Sequence, residues 1–425
     1  MVKLFKSRLS NPFVLSTVIL CFLLYSGLIK PSARNLFCPT LSGEKINYIE
    51  GYVCSNPVKN KKKGIYSFLL STSACGETIN ESNVRASCKG VVSVSLSEKY
   101  VEALFPGKLY SLSKESILVE KGEKLKLYGK YFSESNYFFT KHAEYSGYKN
   151  TFAGKISHLR ALCRLKLRRL LYSWGNAGAL ILSLLSGSRD SLNEEVGNCF
   201  LLAGLSHLLA LSGMHLSFFS NLFDYIGKKI LGKRASFFTK LFGIIFFVWF
   251  AGFSPSLFRA FVMQLLILFA SRCFLLQIDS FCVLCTAFII HLVLLPQDYK
   301  TAAFMLSYGA LAGIMLLTPV SKKLLQGRVP NFINNPLAAS FSAQVFTSPI
   351  SAVLFKMLNP IGIISSVVVS PLISVFLTLS IFGILFSILF PFLSSYFYSI
   401  INTLYTLIVY LVSLFSKCPA IKFSF

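Results

Sequence analysis

Residues 203–217 read Ala-Gly-Leu-Ser-His-Leu-Leu-Ala-Leu-Ser-Gly-Met-His-Leu-Ser, which sets Ser206, His207, Ser212, His215 and Ser217 in an apolar run. Hydrocarbon offers nothing to hydrogen-bond a hydroxyl or an imidazole, so such groups face a protein interior or a water-filled cavity. Gly204 and Gly213 would let neighbouring helices approach closely. Three chemistries suit these residue types. Ser212 with a histidine elsewhere, such as His291, would make an intramembrane Ser-His hydrolase dyad, but the residue before Ser212 is Leu211 where a glycine is wanted. His207 and His215, eight residues apart, could share one helical face as metal ligands, yet no acidic or cysteine partner is nearby. The third reading is a polar lining, or helix-packing glue, inside a membrane bundle. No catalytic residue, metal ligand or cofactor is assigned.

One charge stands out near this stretch. Arg259 follows the Gly252-Phe253-Ser254-Pro255 break, so it either snorkels to headgroups or points into a bundle as a phosphate contact. A polar patch of Ser340, Ser342, Gln344, Thr347 and Ser348 lies in a later apolar segment that Pro349 is expected to interrupt.

The elements that must position these residues follow from composition. The 425 residues are 54% hydrophobic and only 14% charged, with mean hydropathy +0.62, where about 25% charge is usual for globular domains. A polytopic α-helical membrane protein is expected. Lysine and arginine outnumber aspartate and glutamate 42 to 17, a net +25. Cationic cytoplasmic loops account for part of that excess, and the remainder suits a polyanion or anionic lipid. The sequence holds eleven cysteines.

Residues 1–29 read as an uncleaved N-terminal anchor. Residues 30–150 change character, with eighteen Lys/Arg against eleven Glu and no Asp. Strands are expected at 45–53, 64–73, 88–97, 108–113 and 123–132, an all-β unit that is an OB-like barrel or a small sandwich. Lys59, Lys61, Lys62 and Lys63 fall in its first hairpin loop, with Tyr48, Tyr52, Tyr66 and Phe68 as candidate stacking platforms for a single strand. Cys75 and Cys88 are the preferred disulfide pair, if the unit is extracytoplasmic.

Residues 151–175 read as a basic amphipathic interfacial helix. Ile156, Leu159, Cys163, Leu167, Leu170 and Trp174 form its apolar face, and Arg160, Arg164 and Arg168 are among its cations. Such a helix anchors in headgroups or guides a polyanion. Residues 176–416 hold the bundle, and 417–425 a short tail. A span at 199–226 is followed by a basic loop, then segments at 241–256, 257–278, 281–296 and 301–320, then a second basic loop at 321–328. Four crossings return the chain to one side, which places both loops in the cytoplasm and the β-unit outside. Later segments lie at 337–357, 361–395, with interruptions expected at Pro371 and Gly383, and 396–415.

Gly204-Leu205-Ser206-His207-Leu208-Leu209-Ala210-Leu211-Ser212-Gly213-Met214-His215 resembles the central signature of the ComEC competence-protein family. Leu184–Asp190, the Ala251-Gly252-Phe253-Ser254 block with Arg259 and Met263, the Phe304–Ala310 segment and Asn359-Pro360 with Pro371 resemble further pieces of that family, in its order. The resemblance implies a channel that carries single-stranded DNA across the cytoplasmic (inner) membrane. Gly204, Ser206, His207, Ser212, Gly213, His215, Gly252 and Arg259 would line or shape its path. It also implies partners: single-stranded DNA, membrane lipid, a DNA receptor, a separate nuclease and a cytoplasmic motor, with a homo-oligomer left open. No His-x-His-x-Asp-His cluster occurs, so the C-terminal metallo-β-lactamase-like domain of many members is expected to be lacking. No Gly-x-x-x-x-Gly-Lys-Ser/Thr phosphate loop occurs either. An intramembrane hydrolase and a small-solute or lipid transporter remain the rival expectations.

Overall fold

A computed structural model describes residues 12–28, 46–60, 64–79, 82–97, 119–271, 279–390, 392 and 394–422. The chain divides into two compact units: Ala33–Leu182 with Ser188–Leu192, and Met1–Ser32, Ser183–Gly187 and Asn193–Phe425.

The first unit is built on strands β1 (Tyr48–Val53), β2 (Val58–Asn60), β3 (Ile65–Ile79), β4 (Ser82–Ser97), β5 (Glu123–Phe132) and β6 (Tyr137–Tyr148). The sheet order β1-β5-β6-β4-β3, with a further β1–β3 pairing, closes five strands into a ring. Among the described residues of this sheet only β4 and β6 pair in parallel; the other pairings are antiparallel. Alternation along the strands turns Ile49, Leu70, Val92, Val94, Leu96, Leu125, Leu127 and Phe138 into one core. Gly51 sits at a register shift of β1, where any Cβ would strike the Ser71 carbonyl of β3. β5 coincides with its expected bounds, and β3 and β4 run longer than expected. β6 is a strand not expected from the sequence, and residues 108–113 lie outside those described. Helix α1 (Pro12–Tyr25) belongs to the other unit; α2 (Phe152–Tyr172) completes this one, with the Thr151 hydroxyl capping the Gly154 amide at 3.2 Å.

In chain order the remaining helices are α3 (Gly175–Ser186), α4 (Glu194–Leu202), α5 (Gly213–Ile230), α6 (Ser236–Ala251), α7 (Pro255–Phe269), α8 (Ser280–Leu294), α9 (Ala302–Leu325), α10 (Asn331–Phe355), α11 (Gly362–Leu389) and α12 (Ser394–Ser416). The last four contain segments long and apolar enough to cross a membrane; α1, α3, α6, α7 and α8 are shorter apolar helices. Four helices, α6 to α9, separate the basic end of α5 (Lys228, Lys229) from that of α9 (Lys322, Lys323). Ile244, Phe247 and Val248 of α6 pack with Leu216 of α5 and Leu257 of α7, while α7, α8 and α9 share a second core with Leu20 and Leu24 of α1 against it.

Three expectations are corrected here. The segment 199–226 is two helices with a non-helical stretch between them. Pro349 does not interrupt α10, and neither Pro371 nor Gly383 interrupts α11. The boundary expected at residue 256 falls at Gly252–Ser254: Gly252, at φ +88°, ends α6, and the Ser254 hydroxyl accepts from the Leu257 amide at 3.3 Å with Pro255 at the first helical position.

Candidate functional site

Polar residues of the 203–217 stretch are held by two different devices. At its start α4 ends in a left-handed glycine. Gly204, at φ +73°, donates its amide to the Leu201 carbonyl at 3.1 Å, and Leu205 donates to Phe200 at 2.8 Å. Those two crossed bonds are the Schellman arrangement, which needs a residue free of Cβ strain at that position. A Cβ on Gly204 would also lie 2.8 Å from the Gly362 Cα. The exposed carbonyls at the end of α4 then find side chains from the late part of the chain: Asn359 Nδ2 donates to Leu201 O at 2.7 Å and Ser365 Oγ to Ala203 O at 2.7 Å. Gln344 Nε2 in turn donates to Asn359 O at 2.8 Å. The early stretch and the Asn359-Pro360 segment are therefore one site.

At its other end Ser212 caps α5. The Ser212 amide donates to His215 Nδ1 at 3.1 Å, and the Ser212 hydroxyl lies 3.1 Å from the same nitrogen. Because a backbone N–H can only donate, Nδ1 is unprotonated and a neutral His215 carries its proton on Nε2. His215 is fully buried, and Nε2 has no hydrogen-bond partner among the described residues. His207 lies in the non-helical stretch, exposed, and Ser206 beside it is half-buried. His207 and His215 thus share no helical face, against the expectation. Nor is His291 the partner of Ser212: its ring nitrogens lie 3.2 Å from Tyr308 Oη and 3.1 Å from Asp298 Oδ2.

Arg259 points into the bundle. Its guanidinium donates to the Ser307 carbonyl of α9 and lies over the Tyr308 ring, 5.8 Å from the centroid. A Cβ built on Gly213 would stand 3.2 Å from Ala260 Cβ and 3.8 Å from Arg259 Nη2, which puts the guanidinium beside the first turn of α5. Ser212, Gly213, His215 and Arg259 are brought together. Gly204 serves the other device, and Gly252 the turn before α7.

In the β-unit the cations divide. Arg164 Nε pairs with Glu120 at 2.9 Å, both nearly fully buried. Arg168 reaches Ser188 Oγ at 3.1 Å and Asp190 at 3.6 Å, and Arg160 reaches Asn56 Oδ1 at 3.4 Å. Burial and the neighbouring Arg164 bring the Arg160 guanidinium down to about 10, and burial lowers Arg168. Arg160 and Arg164, expected among the cations of the polar side, face into the unit, while Ile156 and Leu159 of the apolar face are exposed. Arg164 and Arg168 find their partners in Glu120 and Asp190, carboxylates that lie outside the helix. Glu123, one turn of chain from Glu120, is pushed up to about 8 by burial, only partly offset by the 2.9 Å bond it accepts from Tyr148.

Lys59 lies on β2 with its ammonium 5.8 Å from the Tyr66 ring centroid; Lys61, Lys62 and Lys63 lie outside the described residues. Tyr66 and Phe68 belong to the core, and Tyr48 is buried against Tyr128 with its hydroxyl on Glu50 at 2.7 Å, so none of the three is a stacking platform. Tyr52 remains half-buried under Lys149, 4.3 Å from its ring centroid. Phe132, Phe139 and Tyr145 are exposed, with Lys130 lying 5.6 Å from the Phe132 centroid, and no regular alternation in 137–148 marks the last two in sequence. Cys75 and Cys88 are buried on the adjacent strands β3 and β4 as free thiols, not as a disulfide.

Residues 184–425, more than half of the chain, match a family model described as Competence protein. No curated protein and no solved structure matches.

Proposed function

The chain belongs to the competence protein family, and from that premise we propose that it is a multi-pass channel for single-stranded DNA in the cytoplasmic (inner) membrane. The observation that carries the reading is that the matched region contains both the polar break between α4 and α5 and the four long apolar helices. A polyanion crossing hydrocarbon needs a hydrogen-bonding path with sparse positive charge, since dense charge would trap it. Ser206, His207, Ser212, His215 and Arg259 supply such groups. The basic ends of α5 and α9, four helices apart, support a cytoplasmic position for both and an outer position for the β-unit.

The β-unit receives the DNA. Its ring order, with one parallel pair between the third and last long strands, supports an OB barrel, and Lys59 on β2 with Lys61, Lys62 and Lys63 after it in sequence fall between the first two long strands, where OB folds bind. A receptor, a separate nuclease and a soluble motor act with it; the sequence carries no phosphate loop to drive transport.

Two measurements test this. In cells whose chromosomal copy is deleted, His207→Ala and Ser212→Ala, each inserted at wild-type level, should lower the entry of labelled DNA into the cytoplasm. Normal entry with both would overturn the channel lining. Replacing Lys61, Lys62 and Lys63 with serine should flatten the salt dependence of oligonucleotide binding by about 2 in log–log slope, at ~0.7 per phosphate contact. An unchanged slope would remove that loop from the DNA path.

A further inference from the structure

We propose that Arg259, His215 and the first turn of α5 form a single phosphate-binding station, whose occupant is one phosphodiester of the transported strand. The inference deepens the channel reading and rests on it for the identity of the occupant.

The groups gathered here are donors. The Arg259 guanidinium has no carboxylate within ion-pair reach among the described residues, and its Nε has no partner there. Two other arginines of this protein with buried side chains do have one: Arg164 has Glu120 and Arg168 has Asp190. Taking a guanidinium out of water without a counter-charge is costly, and a single carbonyl with a ring face compensates only part of it. Arg259 Nη2 lies beside Gly213, at the end of α5 where the helix dipole favours an anion and the amides of Gly213 and Met214 have no intrahelical acceptor, that of His215 being taken by the Ser212 hydroxyl. Gly213 has no side chain to fill that space. His215, on the same turn, is fully buried and carries an Nε2–H that nothing accepts among the described residues. The Ser212 amide fixes this tautomer, so the imidazole is a neutral donor. A cation, helix amides and an imidazole N–H, with no acceptor-only group among them, match a phosphate oxygen and repel a metal ion.

The station predicts different signatures for its two side chains. Full-length protein in zwitterionic nanodiscs is titrated with a twelve-residue oligo-dT at several salt concentrations. Arg259→Gln should weaken binding about tenfold and lower the log–log salt slope by about 0.7, the share of one phosphate. Arg259→Lys should keep the slope while losing affinity. His215→Gln should lose affinity with the slope unchanged, because the donor is neutral. If Arg259 only ties α7 to α9, Arg259→Gln lowers the unfolding temperature but leaves the slope alone, and the station is overturned. Should the wild type bind no oligo-dT, the channel reading falls by itself. Phosphorus NMR then decides the station: inorganic phosphate broadened by wild type and not by Arg259→Gln or Arg259→Lys supports it, and equal broadening overturns it. Repeating the oligo-dT titration in anionic nanodiscs separates the sources. If Arg259→Gln changes only the retention of anionic lipid, the occupant is a headgroup and the proposal fails.

Discussion

Replacing Arg164 with methionine should destabilise the β-unit while leaving the helices of the other unit intact. Arg164 and Glu120 are 6% and 4% exposed and lie 2.9 Å apart. Methionine keeps most of the stem volume, so the change isolates the charge. Glu120 would then be a buried carboxylate stripped of that cation, with Glu123 next to it already short of solvent. Breaking one side of a buried pair costs about 3–5 kcal/mol, while a whole domain is stable by only about 5–15 kcal/mol. The opening equilibrium should therefore rise by about a hundredfold or more, at ~1.4 kcal/mol per decade. Hydrogen exchange of the full chain in micelles reads this directly. Amides of Ile49, Leu125 and Leu127 should lose protection, and those of α7 and α8 should not. Glu120→Gln combined with Arg164→Met should recover most of the loss, because both charges are gone. Unchanged protection in the single variant would refute the reasoning. If oligonucleotide affinity fell at the same time, Arg164 would be a DNA contact after all.

Two further outcomes follow from local geometry. Gly204→Ala should destabilise the membrane unit by about 2 kcal/mol or more, since it forces a left-handed alanine and places Cβ against Gly362; Gly362→Ala, whose nearest contacts would be 3.4 Å, should be close to neutral, and equal thermal unfolding of the two variants would contradict this. Glu123 has a folded value of about 8 against an ordinary value of 4.5, so its protonated form is favoured in the native state. The stability it confers is complete below about 4.5 and is lost as pH rises through 8, up to about 4–5 kcal/mol. Glu123→Gln should flatten the stability of the β-unit across that window, and a wild-type profile level from pH 5 to pH 9 would show the carboxyl to be solvated.

How much of this was legible in sequence differs by element. β5 was readable because Glu123–Phe132 alternates cleanly, and α6 to α9 because two cationic ends bracket four apolar runs. The β6 strand was missed since its buried positions, Phe138, Thr140 and Ala143, are spread among exposed aromatics and charges. The break before α5 was hidden by the leucines around it; what makes it stable is Asn359 and Ser365, more than 150 residues away. The inward turn of α2 was unreadable for the same reason. Helical periodicity identifies two faces, but only the distant Glu120 and Asp190 decide which face turns in.

The inward-facing arginines of α2 set where the β-unit can be cut. A fragment ending at residue 150 would keep the closed ring of strands and yet discard Arg160, Arg164 and Arg168, leaving Glu120 as a buried acid without its cation. Such a fragment should be soluble and folded only under acid, when that carboxyl is neutral, and would report weak DNA binding for reasons unrelated to its binding surface. A fragment carried through residue 192 retains the cations together with Ser188 and Asp190. The smallest piece of this protein on which binding can be measured is therefore fixed by where its buried charges are balanced, and that point lies beyond the last strand.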